Sequence, residues 1–198
     1  MSRKFLHVGC GPQTKSGLKG FDSDDWQEIR FDIDESVHPD ILGTLTDMRQ
    51  VDSASVDAVY SSHNIEHVFP HEVGMALREF HRVLKDDGFL VITCPDLQSV
   101  CEAVVADRLL EPLYDSPAGP ISPLDILYGH RGMIAQGNAY MAHKCGFTYS
   151  VLDQCLQGAG FANVIGGRRP KSFDLWMMAF KSETAGPKMQ SLAPQFLP

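Results

Sequence analysis

Long apolar runs are missing from this 198-residue sequence, and no stretch approaches the ~20 residues that a helical membrane span requires. Positive charge is also scarce. Seventeen Lys and Arg face twenty-five Asp and Glu, a net charge of −8, which disfavours an extended nucleic-acid footprint. The one basic cluster is Arg168-Arg169-Pro170-Lys171. Cysteines number five (Cys10, Cys94, Cys101, Cys145, Cys155), an odd count without a CxxC pair, which fits free thiols in a reducing cytoplasm better than a disulfide framework. The sequence MSRKFLHVGCGP runs directly into a strand-like segment, so no secretory signal is expected. Internal repeats are absent too. What is present is a near-average balance, 43% hydrophobic and 21% charged, enough for one well-packed domain.

The first hundred residues alternate short apolar runs with helical periodicity. Strands are expected at 4–8 (KFLHV), 28–32 (EIRFD), 40–43 (DILG), 56–60 (VDAVY) and 88–95 (GFLVITCP). Val73, Leu77, Phe80 and Leu84 recur at i, i+4, i+7 and i+11, which predicts a helix over 70–84 with Pro70 in its first turn. A second helix is predicted from Asp96, a natural N-cap, to about 109, and a third over 150–159, ended by Gly160. Between them, 111–147 is rich in Pro, Gly, Tyr and His with poor periodicity, the composition of a lid or binding segment. Runs at 161–166 and 173–181 read as a closing antiparallel hairpin. The fold class expected is α/β: a doubly wound, mostly parallel seven-stranded sheet, helices on both faces, and a C-terminal antiparallel hairpin. One domain over 1–181 is expected, followed by a disordered tail over 182–198 of turn-forming composition.

The first strand ends in Val8-Gly9-Cys10-Gly11-Pro12, a G-x-G loop that lets a ligand approach bare backbone. No GK[ST] follows, so a P-loop is excluded. Asp32 ends the second strand 21 residues beyond Gly11, the spacing of an acid that accepts hydrogen bonds from a ribose diol. Asp34 is near enough to share that role.

The segments KFLHVGCGP, EIRFDIDESVHPDI, LTDM, SVDAVYSSHNIEHV, FHRVLKDDGFLVITCPD and GFTYSVLDQCLQGAGF follow in this order between residues 4 and 181. As a set they resemble the class I, Rossmann-like S-adenosylmethionine-dependent methyltransferases. The resemblance implies that Gly9, Cys10 and Gly11 lie along the methionine and ribose of the cofactor. It implies that Asp32, with Ile33 beside it, binds the ribose, and that Thr46, Asp47 and Met48 flank the adenine. Ser61, Ser62 and His63 would face the sulfonium and the acceptor. The cofactor implied is S-adenosylmethionine, released as S-adenosylhomocysteine; no metal is expected. Two departures stand out. Thr14 replaces a third glycine, and Gly17 and Gly20 leave the family's first helix short or absent, so a side chain such as Gln13 would hold the methionine carboxylate.

His63-Asn64-Ile65-Glu66-His67 also spells H-x-x-E-H, the zinc signature of the inverzincin peptidases. Pro70 follows too closely for the helix that such a site needs, and the segment leaves a buried strand at the cofactor edge. His63 is therefore the first catalytic candidate and His143, in the lid segment, the second. Tyr114, Tyr128, His130 and Arg131 are the candidate acceptor-binding residues. Glu66 and His67 are expected to be structural and are the only weak metal candidates. Two alternatives stay open: a SAM-binding protein without catalysis, and a metal-assisted RNA 2′-O-methyltransferase using Glu66 and His67 with His130 or His143. The acceptor expected is a small molecule, with neither nucleic acid nor membrane as partner. Oligomeric state is unassigned, a homodimer being compatible.

Overall fold

Short apolar runs, buried along most of their length as in a sheet covered on both faces, form the strands, and the computed structural model describes residues 2–198. In chain order the elements are β1 (Arg3–Val8), β2 (Trp26–Asp32), β3 (Ile41–Leu42), β4 (Val56–Ser62), α1 (Val73–Val83), β5 (Leu84–Pro95) and α2 (Leu97–Val105). The lid region follows with β6 (Tyr114–Ser116), β7 (Gly119–Ile121), α3 (Pro123–Tyr128) and α4 (Arg131–Ala135). Then come α5 (Tyr149–Gly158), β8 (Asn163–Arg169), β9 (Asp174–Phe180) and α6 (Gly186–Phe196).

Seven strands form one sheet in the order β3-β2-β1-β4-β5-β9-β8. The first five are parallel, and β9 enters antiparallel between β5 and β8. The direction of winding reverses between β1 and β4, where Val8 is paired with Ser61. Such a reversal opens a crevice at the carboxyl ends of the strands. The expected fold class is thus the observed one.

Several boundaries differ from the sequence reading for definite reasons. Pro70 lies in a turn ahead of α1 rather than in its first turn; the Glu72 carboxylate accepts the Phe69 N–H at 2.8 Å and delays the helix to Val73. Strand β5 begins at Leu84 because Leu84 pairs with Val56, with an irregular register before Ala58 pairs with Phe89. The lid segment is not structureless: β6 and β7 form a two-stranded hairpin, and Ser122 and Asp125 form a capping box at α3. Asp96 caps α2 as expected, accepting the Gln98 N–H.

The tail is the largest correction. Expected to be disordered, it forms α6, with Met189, Leu192, Ala193 and Phe196 at i, i+3, i+4 and i+7 making one apolar stripe. Gly186, Pro187 and Pro194 gave it turn-like composition and hid that spacing. The stripe covers a face left bare because only a single 3₁₀ turn, Lys15–Gly17, stands between β1 and β2. There Phe5, Phe21, Trp26, Phe89 and Phe196 pack as an aromatic cluster, with Phe21 and Phe196 centroids 4.9 Å apart. Gly20 has φ +80°, and a Cβ there would lie 2.5 Å from the Gln195 carbonyl oxygen, so only glycine lets the tail come this close. On the opposite face α1 and α5 bury Leu77, Phe80, Leu152 and Leu156 against Leu6, Val59 and Leu90.

If α6 replaces the missing helix, Phe196→Ala should cost about 3 kcal/mol of unfolding free energy, the usual loss for a buried phenylalanine. Urea melts of the variant and of a chain ended at Ser182 should both fall at lower denaturant than wild type. A wild-type midpoint for the shortened chain would refute the assignment.

Candidate functional site

The carboxyl ends of β1, β2 and β4 bring the glycine loop, Asp32 and His63 to one edge of the sheet. Gly9 has φ +60°, and a Cβ on it would lie 1.9 Å from Asn64 Oδ1. That space belongs to the Asn64 amide, whose Nδ2 donates to the carbonyls of Val8 and Ser62, each at 2.9 Å. One side chain thus ties the ends of β1 and β4 together. Gly11, with φ +51°, has open space where a Cβ would stand. Its N–H donates to Asp32 Oδ2 at 2.8 Å, while Asp34 N–H donates to Asp32 Oδ1 at 2.9 Å. Each oxygen of the buried Asp32 keeps one unused lone pair. Asp34 instead caps the 3₁₀ turn Glu35–Val37 through Ser36 N–H. Arg30 holds the loop from the far side, donating to the carbonyls of Gly11, Val37 and His38. Cys10 is buried, and burial pushes its thiol up to about 11, so it is no nucleophile at neutral pH. Gln13 is exposed beside the loop.

Beyond β2, Ile33 is 43% exposed, an apolar side chain left open at the edge. Thr46 is half-buried, its hydroxyl 3.2 Å from that of Thr44. Asp47 is paired with Arg49, which holds its carboxyl below the usual range. Met48 is wholly buried in the core and anchors this loop from beneath. The loop is clamped by α1: Glu79 accepts the Met48 N–H at 2.8 Å, and Arg82 donates to the carbonyls of Met48 and Val51, each at 2.9 Å.

After β4, Ser61 is wholly buried and Ser62 half-buried. His63 adopts φ +53°, left-handed backbone that a non-glycine residue rarely takes, and its N–H donates to the Thr93 carbonyl at 2.9 Å. Residues Ile65–His67 form one 3₁₀ turn, so His63 and His67 do not share the helix face of a zincin. Glu66 is 1% exposed, and neither carboxylate oxygen has a hydrogen-bond partner. Its nearest cation is His63 Nδ1 at 3.4 Å, on a ring 47% exposed. Burial works to raise the Glu66 pKa, but contact with His63 outweighs it and leaves it lowered. Burial likewise works to lower the His63 pKa, and Glu66 outweighs it, leaving it raised.

His67 and His143 meet edge to face at 4.8 Å, although 75 residues separate them in sequence. The ring Nδ1 of His67 is 3.1 Å from the Ala142 carbonyl, and that of His143 is 2.6 Å from the Ile126 carbonyl. Burial lowers the His143 pKa and favours the neutral ring. The Glu66 carbonyl accepts the N–H groups of Lys144 and Cys145 at 2.8 and 3.2 Å, which binds this part of the lid to the turn after β4. A pocket of about 260 Å³ opens alongside, lined by Glu66, Leu97, Ile126, Tyr128, His143 and Lys144 among others.

The other acceptor candidates divide. Tyr128 is exposed at this pocket, whereas Tyr114 lies elsewhere, stacked at 6.3 Å on Phe173. His130 caps α4, its Nδ1 accepting the Met133 N–H. Arg131 is paired with Asp125 (Nε to Oδ1 2.7 Å), which holds that carboxyl far below the usual carboxylate range. Two members of the basic cluster are paired, Arg168 with the wholly buried Asp96 at 2.8 Å and Arg169 with Asp174, which leaves Lys171 exposed. Asn64 and Arg30 escaped the sequence reading. Their roles depend on backbone carbonyls of other segments, for which the sequence carries no signal.

Residues 6–92 match the family model described as "Methyltransferase domain". Among solved structures the chain is similar to 1,6-didemethyltoxoflavin-N1-methyltransferase from Burkholderia thailandensis, solved with 1,6-didemethyltoxoflavin and S-adenosylhomocysteine bound. Identity is 17%, over 92% of this chain and 72% of that one, with a TM-score of 0.57. A SAM-dependent methyltransferase from Archaeoglobus fulgidus is similar at 15% identity, over 90% and 86% of the two chains, with a TM-score of 0.55. The chain spans about half (47%) of the solved citrinin polyketide synthase CMeT domain, at 14% identity and a TM-score of 0.56 over 92% of its own length. No curated protein matches the sequence. Among the described residues no helix is long and apolar enough to cross a membrane.

Gly9→Ala should destabilise the fold by about 1–2 kcal/mol through its left-handed backbone alone, and further through the clash with Asn64. Adding Asn64→Ala should recover the second part only, so the double variant in urea melts should lose less than the sum of the singles; simple additivity would disprove the contact. The Glu79–Arg82 clamp makes a separate prediction. Arg82 holds the Glu79 pKa low, so its stabilisation is present above the ordinary glutamate value and lost as pH falls through the lowered one. Stability measured from about pH 5 downward should fall less steeply for Glu79→Gln than for wild type.

Proposed function

We propose that this chain, a class I methyltransferase by its fold and by the domain its residues 6–92 match, transfers the methyl group of S-adenosylmethionine to a small-molecule acceptor. One observation carries the reading: the bare glycine loop, Asp32 and His63 converge at the edge where strand order reverses. The residues fit the cofactor. Gly9, Cys10 and Gly11 offer a loop without bulk, open at Gly11. Asp32 has two unused lone pairs for a ribose diol. Exposed Ile33 on one side and Thr46 and Asp47 on the other would flank the adenine, with buried Met48 supporting the loop between. Ser62 and His63 border the reacting end.

The cofactor supplies an electrophilic methyl group and leaves as a neutral thioether. The protein's task is to align the acceptor, and in-line alignment supplies much of the rate. His63 orients or deprotonates the acceptor from the end of β4, its ring steadied by Glu66. His143 and Tyr128 face the acceptor space from the lid. A pocket of about 260 Å³ suits a small molecule, and the pairing of Arg168 and Arg169 weakens the one basic cluster that nucleic acid would use. The relative crystallised with 1,6-didemethyltoxoflavin supports a small acceptor on this fold.

Calorimetric titration with S-adenosylhomocysteine should show binding to wild type and at least tenfold weaker binding to Asp32→Ala. No binding by wild type would refute the reading. Once an acceptor is found by screening, His63→Ala should lower kcat by about 10²–10⁴ with S-adenosylhomocysteine affinity nearly unchanged.

A further inference from the structure

A buried carboxylate ion without hydrogen-bond donors is costly, and native structures pair such groups or give them a metal. Glu66 is 1% exposed, neither of its oxygens has a hydrogen-bond partner, and its ion-pair contact is His63 Nδ1, 3.4 Å from Oε1 on a ring half open to solvent. Around it, one ligand atom each from Glu66, His67 and His143 lie within 4.8 Å of one another. The two rings are held in a particular tautomer. Each presents Nδ1 to a backbone carbonyl, of Ala142 and of Ile126, and a carbonyl can only accept. Nδ1 therefore bears a proton in each ring, and Nε2 is the nitrogen through which each could bind an ion. Metal-ligating histidines are characteristically oriented in this way, the second nitrogen donating to a carbonyl or carboxylate.

We propose that Glu66, His67 and His143 form a binding site for a divalent transition-metal ion. Two imidazoles and one carboxylate suit zinc or a neighbouring late first-row ion, whereas magnesium and calcium prefer sets of oxygens. Ligands at about 2.0–2.1 Å from an ion sit roughly 3.3–3.4 Å from each other in a tetrahedron, so modest side-chain rotation closes the set. Three protein ligands leave a coordination position free, as catalytic rather than structural zinc sites do. Glu66 and His143 also line the pocket, so an ion here borders the acceptor space. It also cross-links the lid at 142–145 to the turn after β4, reinforcing the Lys144 and Cys145 hydrogen bonds to the Glu66 carbonyl. The site uses none of the residues assigned to the cofactor, so the inference stands or falls apart from methyl transfer.

The test uses the full chain, stripped with a chelator and free of S-adenosyl compounds. Zinc titrated by calorimetry should bind at one equivalent per chain and raise the melting temperature, and cobalt should give the visible absorption of a low-coordinate nitrogen and oxygen site. His67→Ala, His143→Ala and the near-isosteric Glu66→Gln should each weaken zinc binding at least tenfold. His71→Ala, at an exposed histidine outside the cluster, should bind as wild type does. Circular dichroism confirms that each variant is folded, and Glu66→Gln serves if a histidine variant is not. Absence of stoichiometric zinc binding by wild type would overturn the proposal. So would wild-type affinity in folded Glu66→Gln together with either histidine variant, which would place the ion elsewhere on the surface.

Discussion

An ionised carboxylate shut away from water must gather positive charge or donors around it, and Glu66 imposes that demand on everything near the acceptor pocket. Its side chain faces His63, His67 and His143, which come from two segments far apart in sequence. Its backbone carbonyl accepts two N–H groups from the lid. Around it the backbone supplies the remaining ties: His63 N–H donates to the Thr93 carbonyl, His67 N–H closes the 3₁₀ turn on the Asn64 carbonyl, and His67 Nδ1 and Cys145 Sγ add contacts to the Ala142 and Ile65 carbonyls.

The cofactor half rests on a different device. Asn64, next in the chain, occupies the space that a side chain at Gly9 would need, and its amide bridges the carbonyl ends of β1 and β4. The crevice between the two halves of the sheet is thus shaped by a single amide side chain. Dropping the helix after β1 leaves the loop without a helix N-terminus for anions, and it strips cover from one sheet face. Aromatic residues from 5 to 26 and the C-terminal α6 restore that cover. A domain can lose a standard element when its apolar surface is buried by another segment, because hydrophobic burial has no directional requirement.

Where local chemistry decides, the sequence was legible. The strand runs, the Asp96 cap, the end of α5 at Gly160 and the glycine loop each depend on neighbours a few residues away. Asp32 was placed at the loop by spacing alone, and its carboxylate does meet Gly11. What failed was long-range. The α6 stripe was masked by Gly and Pro, whose turn preference a packed face can override. His130 and Arg131 look like ligand-binding side chains in sequence, yet a cap and a pair with Asp125 occupy them. The H-x-x-E-H string suggested helical spacing, whereas the backbone makes only a 3₁₀ turn and the third member of the cluster comes from residue 143. No local pattern announces a contact across 75 residues.

The two halves of the site also differ in what can vary. Strand ends set the glycine-loop side: β1 carries the loop, β2 carries Asp32, and register fixes both. The adjoining pocket is built from Ile126, Tyr128 and residues 143–146, against Pro95 at the end of β5 and Leu97 in α2. Lid residues are free to change without disturbing the sheet, which is how one fold serves many acceptors. In this chain that freedom is limited at one place, because Lys144 and Cys145 donate to the Glu66 carbonyl and the Ala142 carbonyl meets His67 Nδ1.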